Sequence, residues 1–542
     1  DHSSESEPIR FEEKTDNLKG KLITYNKEQQ AAINSAVEFI AQGNSNEWFL
    51  LEGKAGTGKT TGASQIAKAF PKKSIFIAAL SNKAVSVIQS KFKQDGIKAK
   101  AGSIAALLGY SMDLDTGKFT KTFGLKPPPI TDVDLVIIDE ASMVNEEILE
   151  LIFSEKPKST KVIMLGDIGQ LPPIRTKENP YYEKRQQTFN LKSPVFNTKN
   201  KVKLTERIRQ GEESPILPFA DYYWNNSQSE NPVIDPVPTS KRRNILNSKG
   251  NLLFTNTFTD IKEEVINLFK KAVANNNPNY VKVVTYKNTT RESVNTIIHN
   301  ALFGNSSEFN KGELIMFNDS WGEKINNADE FQVIDVSNIN TDENGLNFVY
   351  ISINVESNSF EIPVLLSDSK SKYKEMVSKM FNNAKLIGKG NPGYKEALNE
   401  AWALNDKFAK LDYAYAITSH KAQGSTYDIV IVDEKDILSV GPTSNANKSE
   451  SIYTGLTRAR NTVIVISSTS VEFDDTKFKM LIDNIVSNSQ TTQVNETTQR
   501  VETINIYAGA NENTELSNFA VRPFVYNGIE FNSVEQAYQS LK

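Results

Sequence analysis

The sequence predicts an α/β protein whose buried strands end in polar loops, and three observations point there. First, the apolar runs in "WFLLEGKAGTGKTT", "DLVIIDEASM" and "KVIMLGDIGQLPPI" each deliver glycine or charged residues at their C-terminal ends. That end is where ligands bind in open parallel sheets. Second, the first run leads through a glycine-rich loop into a helical pattern, the order of a strand–loop–helix unit. Third, "YDIVIVD" and "TVIVISS" supply more buried strands late in the chain, after a stretch that alternates like antiparallel strands.

Composition narrows the function classes. At 542 residues the chain is long enough for several domains. An apolar share of 38% and a charged share of 24% are ordinary for globular protein. No apolar run approaches the roughly 18 residues that span a bilayer, so no membrane partner is expected. Nor does a signal-peptide pattern open the chain. The sequence has no cysteine, which excludes disulfides and thiol catalysis and suits a cytoplasmic, reducing setting. A net charge of −4 restricts any nucleic-acid surface to a local groove. The chain opens on Asp1 rather than methionine, so processing or excision from a longer protein is expected.

Residues 1–20 are acidic and polar and are expected to be mobile. The run Trp48 to Leu51 then enters G-x-x-x-x-G-K-T, with Gly53, Ala55, Gly56, Thr57, Gly58, Lys59, Thr60 and Thr61 as the phosphate-cradling stretch. In such a loop backbone N–H groups converge on phosphates, and the following helix N-terminus favours their charge. Lys59 suits the β- and γ-phosphates, and Thr60 suits Mg²⁺. The second strand raises Asp139 and Glu140 to the same edge, Asp139 for the outer sphere of Mg²⁺ and Glu140 for deprotonating an attacking water. On the third, Gln170 follows Gly-Asp closely enough to report a γ-phosphate, although a plain loop amide would read alike.

The three histidines offer little chemistry by themselves. No cysteine accompanies them and no H-E-x-x-H spacing occurs, which argues against a zinc site. No G-x-S-x-G elbow supplies a nucleophile for a serine hydrolase. His420, in "ITSHKAQGST", therefore waits on its neighbours.

Taken in order, "EGKAGTGKTT", "IIDEASM", "GDIGQLPPI", "LTERIRQ", "ITSHKAQGST" and "IYTGLTRAR" resemble the motif series of superfamily 1 helicases. The similarity is to the 5′→3′ branch that includes the RecD and Dda helicases, and it covers roughly residues 20–470. The resemblance implies ATP and Mg²⁺ as cofactors, with Lys59, Glu140, Gln170, Arg209 and Arg458 as the catalytic set. Gln29 in "YNKEQQAAI" takes the adenine-reading place, and Arg209 and Arg458 point at the γ-phosphate. A planar guanidinium stabilises the charge that phosphoryl transfer spreads. His420 becomes part of the segment linking the second lobe's nucleotide face to the single strand. A packed imidazole orienting its neighbours is the alternative. Thr418 and Lys421 are phosphate contacts beside it, and Gly424 permits close backbone approach around the cofactor.

The implied fold is α/β, with two RecA-like P-loop lobes, a β-hairpin pin in the first and an SH3-like β-barrel insertion in the second. Residues 21–200 form the first lobe, 201–304 with 412–470 the second, and 305–411 the inserted barrel and helices. Ser81, Asn82 and Ser103 occupy the positions where the family grips a single strand, contacts that position without reading sequence. Leu80 and Ala105 stand where the family usually carries proline and histidine. The pin would span about 111–124, with Phe119 or Phe123 stacking on a base at about 1–3 kcal/mol. These phenylalanines would equally serve to pin the hairpin to its lobe.

Residues 471–503 read as a helix and polar linker, and 504–542 resemble the opening of a NADAR domain, through "ELSNFAVRPFVYNGIEFNSVEQAYQSLK". The expected activity is an ATP-dependent 5′→3′ DNA helicase acting on single-stranded and duplex DNA. The alternative is a nucleic-acid-stimulated NTPase that remodels complexes without processive unwinding. Single-strand-binding or replication proteins are possible partners, a monomer is the expected state, and abundant Asn, Lys and Ile suit an AT-rich, phage-like genome.

Overall fold

Strand β1 (Phe49–Gly53) is buried along its whole length, and it organises the first sheet. The structure, a computed structural model, describes residues 16–18, 21–23, 26–112, 119–121, 127–173, 192–206, 214–305, 307–322, 324–325, 327–355, 358–441, 443–497, 524–526 and 529–531. With β2 (Ile75–Ala79), β3 (Lys100–Ser103), β4 (Leu135–Ile138), β5 (Lys161–Gly166) and β6 (Lys201–Leu204), β1 forms a parallel sheet of order β6-β1-β5-β4-β2-β3. Alternating residues feed two cores, as the two-residue period of a strand requires. Leu51, Ile77, Ile137 and Leu165 pack on one face with Ile33 and Val37 of the helix Lys27–Gln42. Leu50, Phe76, Val136 and Met164 pack on the other with Ile148 and Ile152 of the helix Glu146–Glu155. Each such side chain contributes about 1.5–3 kcal/mol by leaving water.

The register decides the chemistry. Glu52 of β1 faces Gly166 of β5, and Ile138 of β4 faces Met164 of β5. The loops after β1, β4 and β5 therefore leave the sheet side by side. β6 corrects the expected lobe boundary at 200: Lys201–Leu204 pairs with β1 and belongs to the first sheet. Its pattern, "KVKL", is that of an edge strand and suits either lobe's sheet equally.

The second sheet comprises β7 (Ile245–Asn247), β8 (Gly250–Thr255), β9 (Val281–Thr285), β10 (Ala416–Thr418), β11 (Tyr427–Asp433) and β12 (Ala459–Ile466), in the order β7-β8-β12-β11-β9-β10. Only β7 runs antiparallel to its neighbour. Between β9 and β10 the chain builds two small antiparallel sheets. One joins Leu314–Phe317 to Glu330–Gln332 and Leu411–Tyr413, and the other centres on the hairpin of Asn347–Val355 with Asn358–Leu365. They share a core that includes Ile315, Phe317, Ile351, Ile353 and Ile362. The helices Ser367–Ile387 and Tyr394–Asn405 follow.

Tyr110–Met112 and Phe119–Lys121 pair antiparallel, with Phe119 opposite Met112, where the sequence places a hairpin. Phe123 lies outside the described residues. Residues 474–542 form a separate unit. In it the helix Asp475–Thr497 runs through most of the stretch expected as polar linker, which contains neither glycine nor proline to stop it. Phe524–Tyr526 and Ile529–Phe531 form a hairpin. Among the described residues no helix is long and apolar enough to cross a membrane.

Candidate active site and nucleic-acid interface

The loop after β1 turns on Gly56 (φ 84°) and Gly58 (φ 87°), left-handed positions that glycine takes without cost. Gly58 caps the helix Lys59–Lys68, which opens with Thr60 and Thr61, both half-buried. Lys59 Nζ curls back to the carbonyls of Gly53 at 2.7 Å and Lys54 at 3.1 Å. It thus lies over the loop's mouth, where phosphate oxygens would replace those carbonyls. Gln29 closes the other side. It completes a capping box with Asn26, and its Nε2 donates to the Thr57 carbonyl at 3.2 Å.

Asp139 and Glu140 leave β4 toward this loop. Burial and the adjacent Glu140 carboxylate raise the Asp139 pKa to about 6, against the opposing pull of Lys59 and Arg458. A buried carboxylate beside a second one is the environment a hard divalent cation satisfies. Glu140 itself holds a left-handed backbone (φ 53°), unusual for a residue with a side chain and a mark of local strain.

The second lobe supplies the rest. Arg458, 6% exposed, donates from Nε to the Thr454 carbonyl at 3.1 Å and reaches Glu140 Oε1 with Nη1 at 3.5 Å. In one amide orientation Gln170 accepts from Gln423 at 3.3 Å; turned over, it donates to Glu140 and accepts from Arg458 Nη2 at 3.3 Å. The second orientation satisfies both charged neighbours and is the better assignment. Glu140, Gln170 and Arg458 thus meet across the cleft, with Lys59 and Asp139 on the first-lobe side. Arg209 lies outside the described residues.

Several contacts here have no counterpart in the sequence reading. Tyr453 of the second lobe accepts from the Ala55 N–H at 3.0 Å and donates to Asp167 at 2.7 Å. Trp224 Nε1 donates to the other Asp167 oxygen at 2.9 Å. The Trp224 ring lies 4.0 Å from Lys54 Nζ, which also pairs with Asp221 at 2.9 Å. Gln423 donates to Ser142 Oγ at 3.0 Å. The Tyr in "IYTGLTRAR" and the Gln in "HKAQGS" were the available signals, but neither residue type declares a partner hundreds of positions away.

On the far side of Glu140 a cavity of about 660 Å³ opens between the lobes and the insertion, bounded by Ser81, Asn318, Tyr286, Thr418, His420 and Lys421. Ser81 and Ser103 each cap a helix, accepting from Ala84 N at 3.2 Å and Ala106 N at 3.0 Å. Both hydroxyls keep a hydrogen to donate. Asn82 is the first residue of the helix Asn82–Gln94. Lys421 donates to Asn318 Oδ1 at 2.6 Å. His420, packed edge-on against Tyr286 at 5.8 Å, is pushed down to about 4 by burial and is neutral at physiological pH. A neutral ring offers hydrogen bonding and stacking rather than charge. Gly424 (φ 75°) lines this cavity and not the phosphate loop; a Cβ there would lie 2.8 Å from Ser81 Oγ and Ala84 Cβ. Phe119 belongs to the hairpin, away from this set of contacts in sequence.

Residues 24–222 match the family model described as an AAA domain, and residues 413–466 match the UvrD-like helicase C-terminal domain. The chain is 26% identical over 513 residues to an uncharacterized protein of Acanthamoeba polyphaga mimivirus, covering 80% of this chain and 98% of that one. It is 23% identical over 431 residues to the ATP-dependent DNA helicase Dda of Enterobacteria phage T4, covering 74% and 90%. To the RecBCD enzyme subunit RecD of Buchnera aphidicola subsp. Acyrthosiphon pisum it is 25% identical over 481 residues, covering 80% and 72%. The two family matches carry the phosphate loop and Arg458 respectively, and they meet at the Glu140 cluster. Motifs, fold and relatives agree in what the chain is similar to: superfamily 1 helicases of the RecD/Dda-like kind.

Proposed function

We propose that this protein is an ATP- and Mg²⁺-dependent helicase that moves 5′→3′ along single-stranded DNA and opens duplex ahead of it. One observation carries the reading: Arg458 of one lobe meets Glu140 of the other directly beside a cavity walled by both. Hydrolysis that requires this meeting requires a closed cleft, and closure reshapes the cavity. Lys59 and the loop N–H groups hold the phosphates. Glu140 accepts the proton of the attacking water, and Gln170 and Arg458 keep that carboxylate in place. Thr60 and Asp139 would hold Mg²⁺, which would neutralise charge developing on the phosphates. Ser81, Asn82, Ser103, Thr418 and Lys421 grip the strand backbone. His420 packs among them, and the Tyr110–Met112/Phe119–Lys121 hairpin serves as the pin. The inserted β-structure takes the SH3-like role, and the viral relatives suit a phage- or virus-borne enzyme of the host cytoplasm. The NADAR-like segment takes no part in this cycle.

The test is polarity. Duplex with a 5′ single-stranded tail should be unwound and duplex with only a 3′ tail should not; equal unwinding from both tails removes the directional assignment. Binding through few phosphate contacts should weaken as salt rises. Gly424→Val tests the closure step. A side chain at this left-handed position costs about 1–3 kcal/mol in strain and wedges Ser81 away. DNA-stimulated hydrolysis should then fall roughly tenfold, since each 1.4 kcal/mol is a factor of ten. Unstimulated ATP binding should persist.

A further inference from the structure

Glu330 sits on the insertion strand Glu330–Gln332, yet its side chain is 2% exposed and joins three parts of the protein. Oε2 accepts from Lys282 Nζ of β9 at 2.7 Å. Oε1 accepts from the Tyr427 hydroxyl of β11 at 2.9 Å and from the ammonium of Lys83. Lys83 comes from the first lobe, in the opening turn of the helix capped by Ser81. Lys282 also donates to the Ala414 carbonyl, in the short link from the insertion to β10. Burial alone would raise the Glu330 pKa, but Lys282 and Lys83 outweigh it and hold it at about 2.

The members of this cluster differ in what separation would cost them. Lys282 is fully enclosed, so its ammonium stays with Glu330 in any arrangement that keeps the second lobe and insertion together. Lys83 is 21% exposed and reaches water easily. If the lobes part, Lys83 leaves and Glu330 keeps Lys282 and Tyr427. If they close, Lys83 returns and draws the insertion onto the helix that begins beside Ser81. Ala328, two residues before Glu330, lines the same cavity as Ser81, so moving Glu330 moves a wall of that cavity.

We propose that Glu330 is a positioning residue: through Lys83 it converts lobe closure into placement of the inserted β-structure against the strand-gripping end of the first lobe. It thereby couples ATP turnover to duplex opening. The inference rests on the helicase reading above. The cleanest probe is Lys83→Met, because it leaves the Lys282–Glu330 pair neutral and intact. On a 5′-tailed duplex, base pairs opened per ATP should fall by at least about fivefold, the lower range of coupling between sites. The rate of single-strand-stimulated hydrolysis and the strand concentration giving half of it should stay unchanged. Lys83→Arg should restore the yield. In a Glu330→Gln background, Lys83→Met should add nothing further.

An unchanged yield per ATP in Lys83→Met overturns the proposal. So does a normal yield with a raised half-saturating strand concentration, which would make Lys83 a phosphate contact. Loss of stimulated hydrolysis also overturns it, by placing Lys83 in the ATPase itself. Wild-type protein that hydrolyses ATP but opens no tailed duplex removes the helicase reading, and it is scored before any variant is compared.

Discussion

Arg458→Ala is expected to lower kcat for ATP hydrolysis by about 10³-fold or more, the effect of withdrawing an arginine from a transferring phosphoryl group. The guanidinium is held ready by the Thr454 carbonyl and by Thr457 Oγ1 at 3.2 Å, with its far edge toward Glu140 and Gln170. Because it belongs to the second lobe, nucleotide should still dock on the first, and the Kd for ATP should change little. Arg458→Lys should rescue poorly, since an ammonium cannot bridge Glu140 and Gln170 as a planar fork does. Single-turnover hydrolysis alongside nucleotide titration separates the two quantities. A variant that keeps most of its turnover would place Arg458 outside the reaction.

Glu140→Gln is expected to cost about 10²–10⁴-fold in hydrolysis, the usual contribution of a positioned general base. ATP should stay bound and uncleaved. The amide preserves shape and keeps an acceptor for Arg458 but cannot take a proton. It also removes the charge that raises the Asp139 pKa, so affinity for ATP should hold or improve while cleavage stops. Lys59→Ala should fail differently, by losing the charge at the phosphates and with it binding. If Glu140→Gln turns over like the wild type, another group is the base.

Much of this site was legible because each motif is local. A strand, a turn and the residue at its tip occupy fewer than a dozen consecutive positions in "EGKAGTGKTT" and "IIDEASM", and the parallel register then brings the tips together. What escaped is contact across the cleft. The Tyr453 hydroxyl on Ala55, Gln423 on Ser142, and Lys83 on Glu330 each join residues more than two hundred positions apart. Their side chains have no spacing rule to betray them. Gly424 shows a subtler failure: its need for glycine was readable, but the crowding neighbour is Ser81 rather than a nucleotide. Lys201–Leu204 joins the first sheet rather than the second, and a four-residue edge strand carries too little pattern in its sequence to choose between them.

The insertion between β9 and β10 bears on how the chain comes to be folded at all. The first sheet is complete once β6 has emerged, so that lobe can consolidate while synthesis continues. The second sheet cannot. β8 must wait for β12, pairing Leu252 with Val463, and every residue of the insertion has to be made in between. During that interval apolar strands such as "LLF" and "VKVVT" have unpaired edges, a state prone to self-association. Non-local pairing of this kind is slow. Nascent chains arrested after β6 should therefore show a protease-resistant first lobe. Chains arrested just before β12 should show that same lobe trailing a degradable, chaperone-binding remainder, and the second lobe should appear only when the final strand is released.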